Sequence, residues 1–238
     1  MRTAYTVFRN LYNVRKMTMK LVLASGSQRR RELLTMCGYD YEIIVSNADE
    51  TIDENDPESF VRALSFRKAK EVFDRLFAAG RRDFAVIGSD TVVAFQKEGE
   101  AKPVIIGKPK DAKDAVRILS MLSGKTHRVF TGVSVIADIP DENADAQCSI
   151  REKAEIQTEC SITEVTFETL SPDEITDYVN SGDPLDKAGS YGIQGPFGMF
   201  VREIRGNYFT VIGMPIPVLY KMLKKIGILP HGFYERIE

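Results

Sequence analysis

Histidine is almost missing from this 238-residue chain: only His127 and His231 occur. A histidine-rich metal site is thereby excluded, and any metal should be a hard cation held by oxygen ligands. Cysteine is scarce as well. Cys37, Cys148 and Cys160 are odd in number and form no CxxC pair, which argues against a disulfide framework or a structural zinc site and fits a reducing compartment. Net charge is only −2, from 32 basic against 34 acidic residues, so no global field points to a nucleic-acid or membrane partner. Any bound anion must be held by a local cluster. Long apolar runs are lacking too, none approaching the ~20 residues needed to cross a bilayer. What is present is 43% hydrophobic residues, enough to bury a substantial core.

The first twenty residues carry Arg2, Arg9, Arg15, Lys16 and Lys20 and no acid. The expectation is a basic extension over 1–19 ahead of a single domain over 20–238, in the cytoplasm; a mitochondrial presequence is the alternative reading of that bias. Leu21, Val22, Leu23 and Ala24 read as a buried strand breaking at Ser25-Gly26-Ser27, followed by a helix that Ser27 can cap and Gly38 can end. A strand over 41–45 leads to an acid-rich loop, 49–54. Asp56 and Pro57 then open a long helix to about Ala79. The stretch 85–87 is a short buried strand, expected to break at Gly88-Ser89-Asp90-Thr91 before 92–95 continues it. Asp111 caps a further helix that Gly124 closes. Stretches 128–137 and 161–170 look extended and should pair as a long hairpin across the polar loop 138–145. Ser171-Pro172-Asp173-Glu174 is a capping box for a helix ending at Gly182. A loop follows to Gly198, a hairpin over 199–212 turning at Gly206-Asn207, and a last amphipathic helix from Pro217. The pattern is α/β, with glycine-rich loops facing a common cleft.

Four stretches carry chemistry. At the first strand-to-helix junction, Ser25, Arg29 and Arg30 combine the free N–H groups of a helix N-terminus with bidentate cations, a setting suited to phosphate oxygens. An ordinary capped turn with solvated arginines is the alternative. Lys68 lies four residues from both Leu64 and Val72, so it interrupts the apolar stripe of its helix; snorkelling to the surface is its alternative, as a solvated turn is for Lys108. Asp90 emerges among small residues from an apolar strand, where a carboxylate can ligate a divalent cation or activate a water, with Glu50 as a second oxygen ligand. Finally, the glycines of 183–195 permit close approach to a flat ligand, and Gln194 can both donate to and accept from the edge of uracil or thymine.

Taken in order, these stretches resemble the Maf family of nucleotide pyrophosphatases from 21 to about 227. The motifs are Ala24-Ser25-Gly26-Ser27-Gln28-Arg29-Arg30, Lys68-Ala69, Gly88-Ser89-Asp90-Thr91, Gly107-Lys108-Pro109, the run Leu122 to His127, and Ser181 to Gly195. The resemblance implies an elongated fold of the inosine triphosphate pyrophosphatase-like kind, with a mixed, strongly twisted sheet and two lobes around a cleft. It also implies a homodimer that hydrolyses nucleoside triphosphates between the α- and β-phosphates with magnesium or manganese. By the same resemblance Asp90 is the catalytic base or metal-binding acid; the residue reading adds Glu50 as a second ligand and Ser25, Arg29, Arg30, Lys68 and Lys108 as the phosphate-binding set. Arg29, Thr91 and Gln194 would set substrate choice, with Lys187 a candidate in the base loop of a dTTP/UTP type. A non-catalytic nucleotide-binding regulator and a 7-methyl-GTP pyrophosphatase are the alternative functions. One departure is Gln28, where the family pattern has proline; it removes a preset φ at the helix start but keeps both arginines.

Overall fold

The structure, a computed structural model, describes residues 19–139 and 154–231. The basic segment 1–18 and most of the acidic loop read from sequence, 140–146, lie outside the described residues. Strands β1 (Lys20–Leu23), β2 (Tyr41–Ile43), β3 (Phe84–Phe95), β4 (Val104–Ile106), β5 (Thr126–Asp138), β6 (Ala154–Phe167) and β7 (Val201–Arg205) form one mixed sheet in the order β2-β1-β3-β5-β6-β7, with β4 also on β3. β1 runs parallel to β2 and β3; every other pairing is antiparallel. Helices α1 (Gln28–Met36), α2 (Pro57–Ala78), α3 (Ala112–Leu122), α4 (Pro172–Asn180), α5 (Tyr208–Ile212) and α6 (Ile216–Lys225) cover it. Among the described residues, no helix is long and apolar enough to cross a membrane.

Local chemistry places most of these ends. Asp56 Oδ2 accepts from the Ser59 N–H at 2.9 Å and Pro57 supplies the first turn of α2, while Ser171 and Glu174 form both halves of the capping box of α4. The expected hairpin exists, with β5 and β6 in register from Thr126↔Thr166 to Asp138↔Ala154.

Three details differ from the sequence reading. β3 does not break at Gly88-Ser89-Asp90-Thr91 but runs for 12 residues, because β5 pairs with it from Ala85 to Ala94. Tertiary pairing overrides the low strand preference of Gly and Asp. The 199–212 hairpin is also absent: β7 pairs with β6, and Asn207 Oδ1 accepts from Phe209 N–H at 2.8 Å, making Asn207 the N-cap of α5 rather than a turn residue. The segment after Gly182 is not plain loop, since it holds short 3-10 turns at Asp183–Asp186, Ala188–Ser190 and Pro196–Phe200.

Alternation along β3 sorts the core. Phe84 and Val86, then Val92 and Ala94, pack under α2. Ala85 and Ile87 pack with α1 and α6 on the other face, and Val93 and Phe95 with α3 and α4. Between these clusters, on both faces, β3 carries only Gly88, Ser89, Asp90 and Thr91. This polar seam separates two hydrophobic bodies. α2 crosses the seam at very short range: a Cβ on Gly88 would lie 2.1 Å from the Ser65 carbonyl oxygen, and one on Gly132 2.1 Å from that of Val61. A second cluster, His127, Phe167, Tyr178, Tyr191 and Phe197, anchors the glycine-rich segment by edge-to-face contacts and one tilted contact, Tyr178 on Phe197, with His127 Nε2 bonded to Tyr191 Oη at 3.0 Å.

Two outcomes are expected. Gly132→Ala must push α2 off the sheet, and urea unfolding should show a loss of about 2 kcal/mol or more, at the upper end of overpacking costs. Burial holds the His127 imidazole at about 3, well below 6.5. The unfolded chain takes up this proton below about 6.5 and the folded chain only near 3, so acidification across that window favours unfolding. Between pH 7 and pH 5 the wild type should lose about 2 kcal/mol more than His127→Gln, at about 1.4 kcal/mol per pH unit below 6.5. Equal pH profiles would remove His127 as the cause.

Candidate active site

The sheet opens where the chemistry lies. β1 pairs with β3 only as far as Leu23↔Ile87, and β4 only from Val93↔Ile106, so on that edge residues 88–92 have no strand beside them. Ala24 makes one last bond, its N–H to the Ile87 carbonyl at 2.8 Å, and the chain then turns at Ser25 into α1. A helix N-terminus therefore faces the unpaired edge of β3, as at the ligand crevices of open α/β sheets.

Because side chains alternate, Asp90 faces α2 while Thr91 faces α1. Lys68 Nζ, on α2, donates to Asp90 Oδ1 at 2.7 Å and lies 3.0 Å from Glu50 Oε1. The Lys68 side chain is 11% exposed, so it does not snorkel to the surface, whereas Glu50 is exposed. Among the described residues no group of three or more His, Cys, Asp or Glu converges. Two carboxylates bracketing one ammonium nevertheless fit a hard cation that takes its remaining oxygens from phosphates and water.

On the other face Arg30 is tied on three sides. Its Nε donates to the Gly213 carbonyl at 2.8 Å, Nη1 to Ser25 Oγ at 3.0 Å and Nη2 to Thr91 Oγ1 at 3.4 Å. Desolvation lowers its pKa, opposed by the charges of Asp90 and Glu50. Ser27 precedes α1 without a side-chain cap bond; Ser25 Oγ instead accepts from the Ser27 N–H at 3.2 Å. Thr91 Oγ1 also meets Thr131 Oγ1 at 3.0 Å.

A cleft of about 770 Å³ opens from Asp90, with Glu50, Thr91 and Lys108 on its walls. It adds residues that sequence reasoning missed: Glu54, Asn55, Phe60 and Lys102. Glu54 carried a faint signal as a member of the acid-rich loop; Lys102 carried none. Ser25, Arg29, Arg30, Gln194 and Lys187 do not line this cleft, and Lys68 reaches it only through its contacts with Asp90 and Glu50, which do. Arg29 Nη1 meets Asp186 Oδ2 at 3.2 Å, and Gln194 is exposed on the glycine-rich segment. The Lys187 ammonium is spent within that segment, on Asp183 and Asp186.

This arrangement has relatives. The dTTP/UTP pyrophosphatase of Agathobacter rectalis is 40% identical over 217 residues, covering 88% of this chain and 98% of that protein. The dTTP/UTP pyrophosphatase of Bacillus thuringiensis subsp. konkukian is 42% identical over 210 residues, covering 88% and 96%. A solved structure titled as that of the Staphylococcus aureus Ham1 protein matches with a TM-score of 0.46 and 16% identity, over 87% of this chain and 98% of that one. The family described as Maf-like protein matches residues 20–226, which include β3 with Asp90, both helices that face it and the glycine-rich segment, and this chain belongs to that family.

Proposed function

We propose that this chain hydrolyses nucleoside triphosphates to the monophosphate and diphosphate, with UTP and dTTP preferred, as the names of its relatives suggest. The observation that carries the reading is Lys68 held between Asp90 and Glu50 at the head of a cleft that also presents Lys108. Water attacks the α-phosphorus, the bond from that phosphorus to the bridging oxygen breaks, and diphosphate leaves. With Asp90 Oδ1 taken by Lys68, Oδ2 is the oxygen left for either role open to this carboxylate, acceptor of the water's proton or ligand to a cation. Lys68, Lys108, Lys102 and Arg29 spread positive charge along the triphosphate. Phosphoryl transfer depends mainly on such positioning and charge stabilisation. A divalent cation, magnesium or manganese, would be held by Asp90 and Glu50 and would supply neutralisation of phosphate charge. The family resemblance extends the reading to a homodimer, and the odd number of cysteines without a CxxC pair extends it to a reducing compartment, the cytoplasm. A nucleotide-binding regulator would bind UTP in the same cleft without turnover, so diphosphate release from UTP in the presence of magnesium or manganese separates the two.

Asp90→Asn should lower turnover by ~10²-fold or more, the usual cost of losing a general base. The fold should survive, since Lys68 keeps Glu50 as a partner. A variant retaining more than about a tenth of wild-type kcat would sink the role given to Asp90.

Specificity follows from the base edges. Uracil and thymine present an N–H between two carbonyls, whereas cytosine presents a bare nitrogen beside an amino group. An unreplaced hydrogen bond costs ~1–3 kcal/mol, and Gln194 is exposed, so UTP should exceed CTP by about tenfold in kcat/KM, the lower end of that range. Gln194→Glu should cut UTP turnover by ~10-fold while leaving the slow ATP reaction nearly unchanged. An equal loss for every triphosphate would move Gln194 from base reading to phosphate binding or loop structure.

A further inference from the structure

The glycine-rich segment closes on itself through one ammonium. Lys187 Nζ donates to the Asp183 carbonyl at 2.6 Å, to Asp183 Oδ1 at 3.0 Å and to Asp186 Oδ1 at 2.7 Å. The other oxygen of Asp183 accepts from Tyr178 Oη at 2.6 Å, and Tyr178 Oη in turn accepts the Gly192 N–H at 3.1 Å. Gly192 has no room for a side chain, because a Cβ would lie 2.6 Å from Lys187 Cε. The segment is therefore a shaped body rather than a slack connection.

Two threads lead out of it, and each ends beside a cation assigned to phosphate. The Gly189 N–H donates to the Gly107 carbonyl at 3.0 Å, immediately before Lys108. Gly189 adopts φ +71, with Val93 where a Cβ would go. The second thread is the free oxygen of Asp186, Oδ2, which takes Arg29 Nη1 at 3.2 Å across 157 residues of sequence. That contact uses one donor of the guanidinium fork, and among the described residues the Arg29 side chain makes no other hydrogen bond. An arginine forfeits rotamer freedom when it grips phosphate, and a partner that fixes the side chain while sparing most of the fork takes part of that loss in advance. As a stabilising ion pair the contact is of little consequence, with Asp186 67% and Arg29 29% exposed.

We propose that Asp186 is a positioning residue: it holds the Arg29 guanidinium ready for the triphosphate, so that the segment carrying Gln194 and the arginine that meets phosphate act as one unit. This rests on the pyrophosphatase reading above.

The test is a double-mutant cycle on the full chain with Asp186→Ala, Arg29→Ala and the double variant. It measures kcat and KM for UTP with magnesium, and Kd for the α,β-imido analogue of UTP. Lys187 keeps two of its three contacts in Asp186→Ala, so the melting temperature should stay within about 2 °C of wild type, as for the loss of an exposed pair. Expected is a rise in KM and Kd of about three- to tenfold for Asp186→Ala, with kcat within twofold. Arg29→Ala should lose more, and the double variant no more than Arg29→Ala alone. Asp186→Glu, which keeps the charge, should recover at least half of the lost affinity. Multiplying effects in the double variant, an unchanged KM, or an affinity loss that tracks a fall in melting temperature would each overturn the proposal. The pyrophosphatase reading fails separately: a wild type that binds the analogue but releases no diphosphate refutes turnover, while the Kd cycle still decides the role of Asp186.

Discussion

The backbone of α2 lies directly on the sheet, and the site depends on that contact. With Gly88 and Gly132 beneath it, the helix reaches a distance at which any Cβ would collide with the carbonyl oxygens of Ser65 and Val61. Ser65 Oγ and Ser134 Oγ meet at 3.0 Å in the same layer. One turn further along, Lys68 is left no choice but to meet Asp90. A larger residue at either glycine would fill space, but it would hold the ammonium away from the carboxylate. Burying such a pair is not a route to stability, because desolvating both ions costs about as much as their attraction returns. The pair is better understood as charge kept at a fixed place beside the cleft, which is what the proposed reaction asks of it.

The polar seam explains where the cleft can form. Hydrophobic clusters lie at both ends of β3 and on both faces, and they leave its middle, 88–91, without apolar cover. That middle also lacks a strand on one edge, because β1 has turned into α1 and β4 has not begun. Side chains, rather than a strand, tie this middle to its surroundings: Ser89 Oγ donates to the carbonyls of Gly132 and Gly213 at 2.9 and 3.0 Å, and Thr91 Oγ1 meets Arg30 Nη2 at 3.4 Å. A sequence that violates the simple strand pattern at one place, and satisfies it on either side, marks a functional site more often than a mistake in folding.

What the sequence disclosed, and what it hid, follows from the range of each interaction. Capping at Asp56 and Ser171 depends on spacings of a few residues and was legible, as were the two extended stretches that pair as β5 and β6; Lys68 was legible as a break in an apolar stripe, but the sequence left burial and snorkelling both open. The continuity of β3 was not legible, because glycine and aspartate deny it locally and only the β5 ladder restores it. The 199–212 hairpin failed for a related reason: Gly206 takes φ +131 and frees Asn207 to cap α5, so a turn-like pair becomes a helix start. Within the site, Asp90 and Lys68 stood out because each breaks an apolar pattern. Lys102 and Asn55 break none, and only the folded chain brings them to the cleft. Asp186 sat inside a recognisable motif, but its partner lies 157 residues away, beyond the reach of any spacing argument.

Two adjacent arginines show how one motif divides its labour. Arg29 and Arg30 are equivalent in sequence, yet a step of one residue along α1 turns their side chains by about 100°, the rotation per residue of an α-helix. Arg30 turns toward β3, where the Gly213 carbonyl, Ser25 and Thr91 engage all three of its nitrogens. None of those acceptors is charged, so Asp90 and Glu50 supply the opposing charge at longer range and offset part of its desolvation. The seam thus carries a cation on each face of β3, Lys68 against Asp90 and Arg30 against Thr91, with the carboxylate between them. Arg29 turns to the glycine-rich segment instead, where Asp186 Oδ2 takes Nη1. Exchanging the two roles would require rotating α1, which Leu33 and Leu34 prevent by their burial against the core shared with β1 and α6. The packing of this short helix therefore decides which arginine is tied into the seam beside β3 and which one meets Asp186.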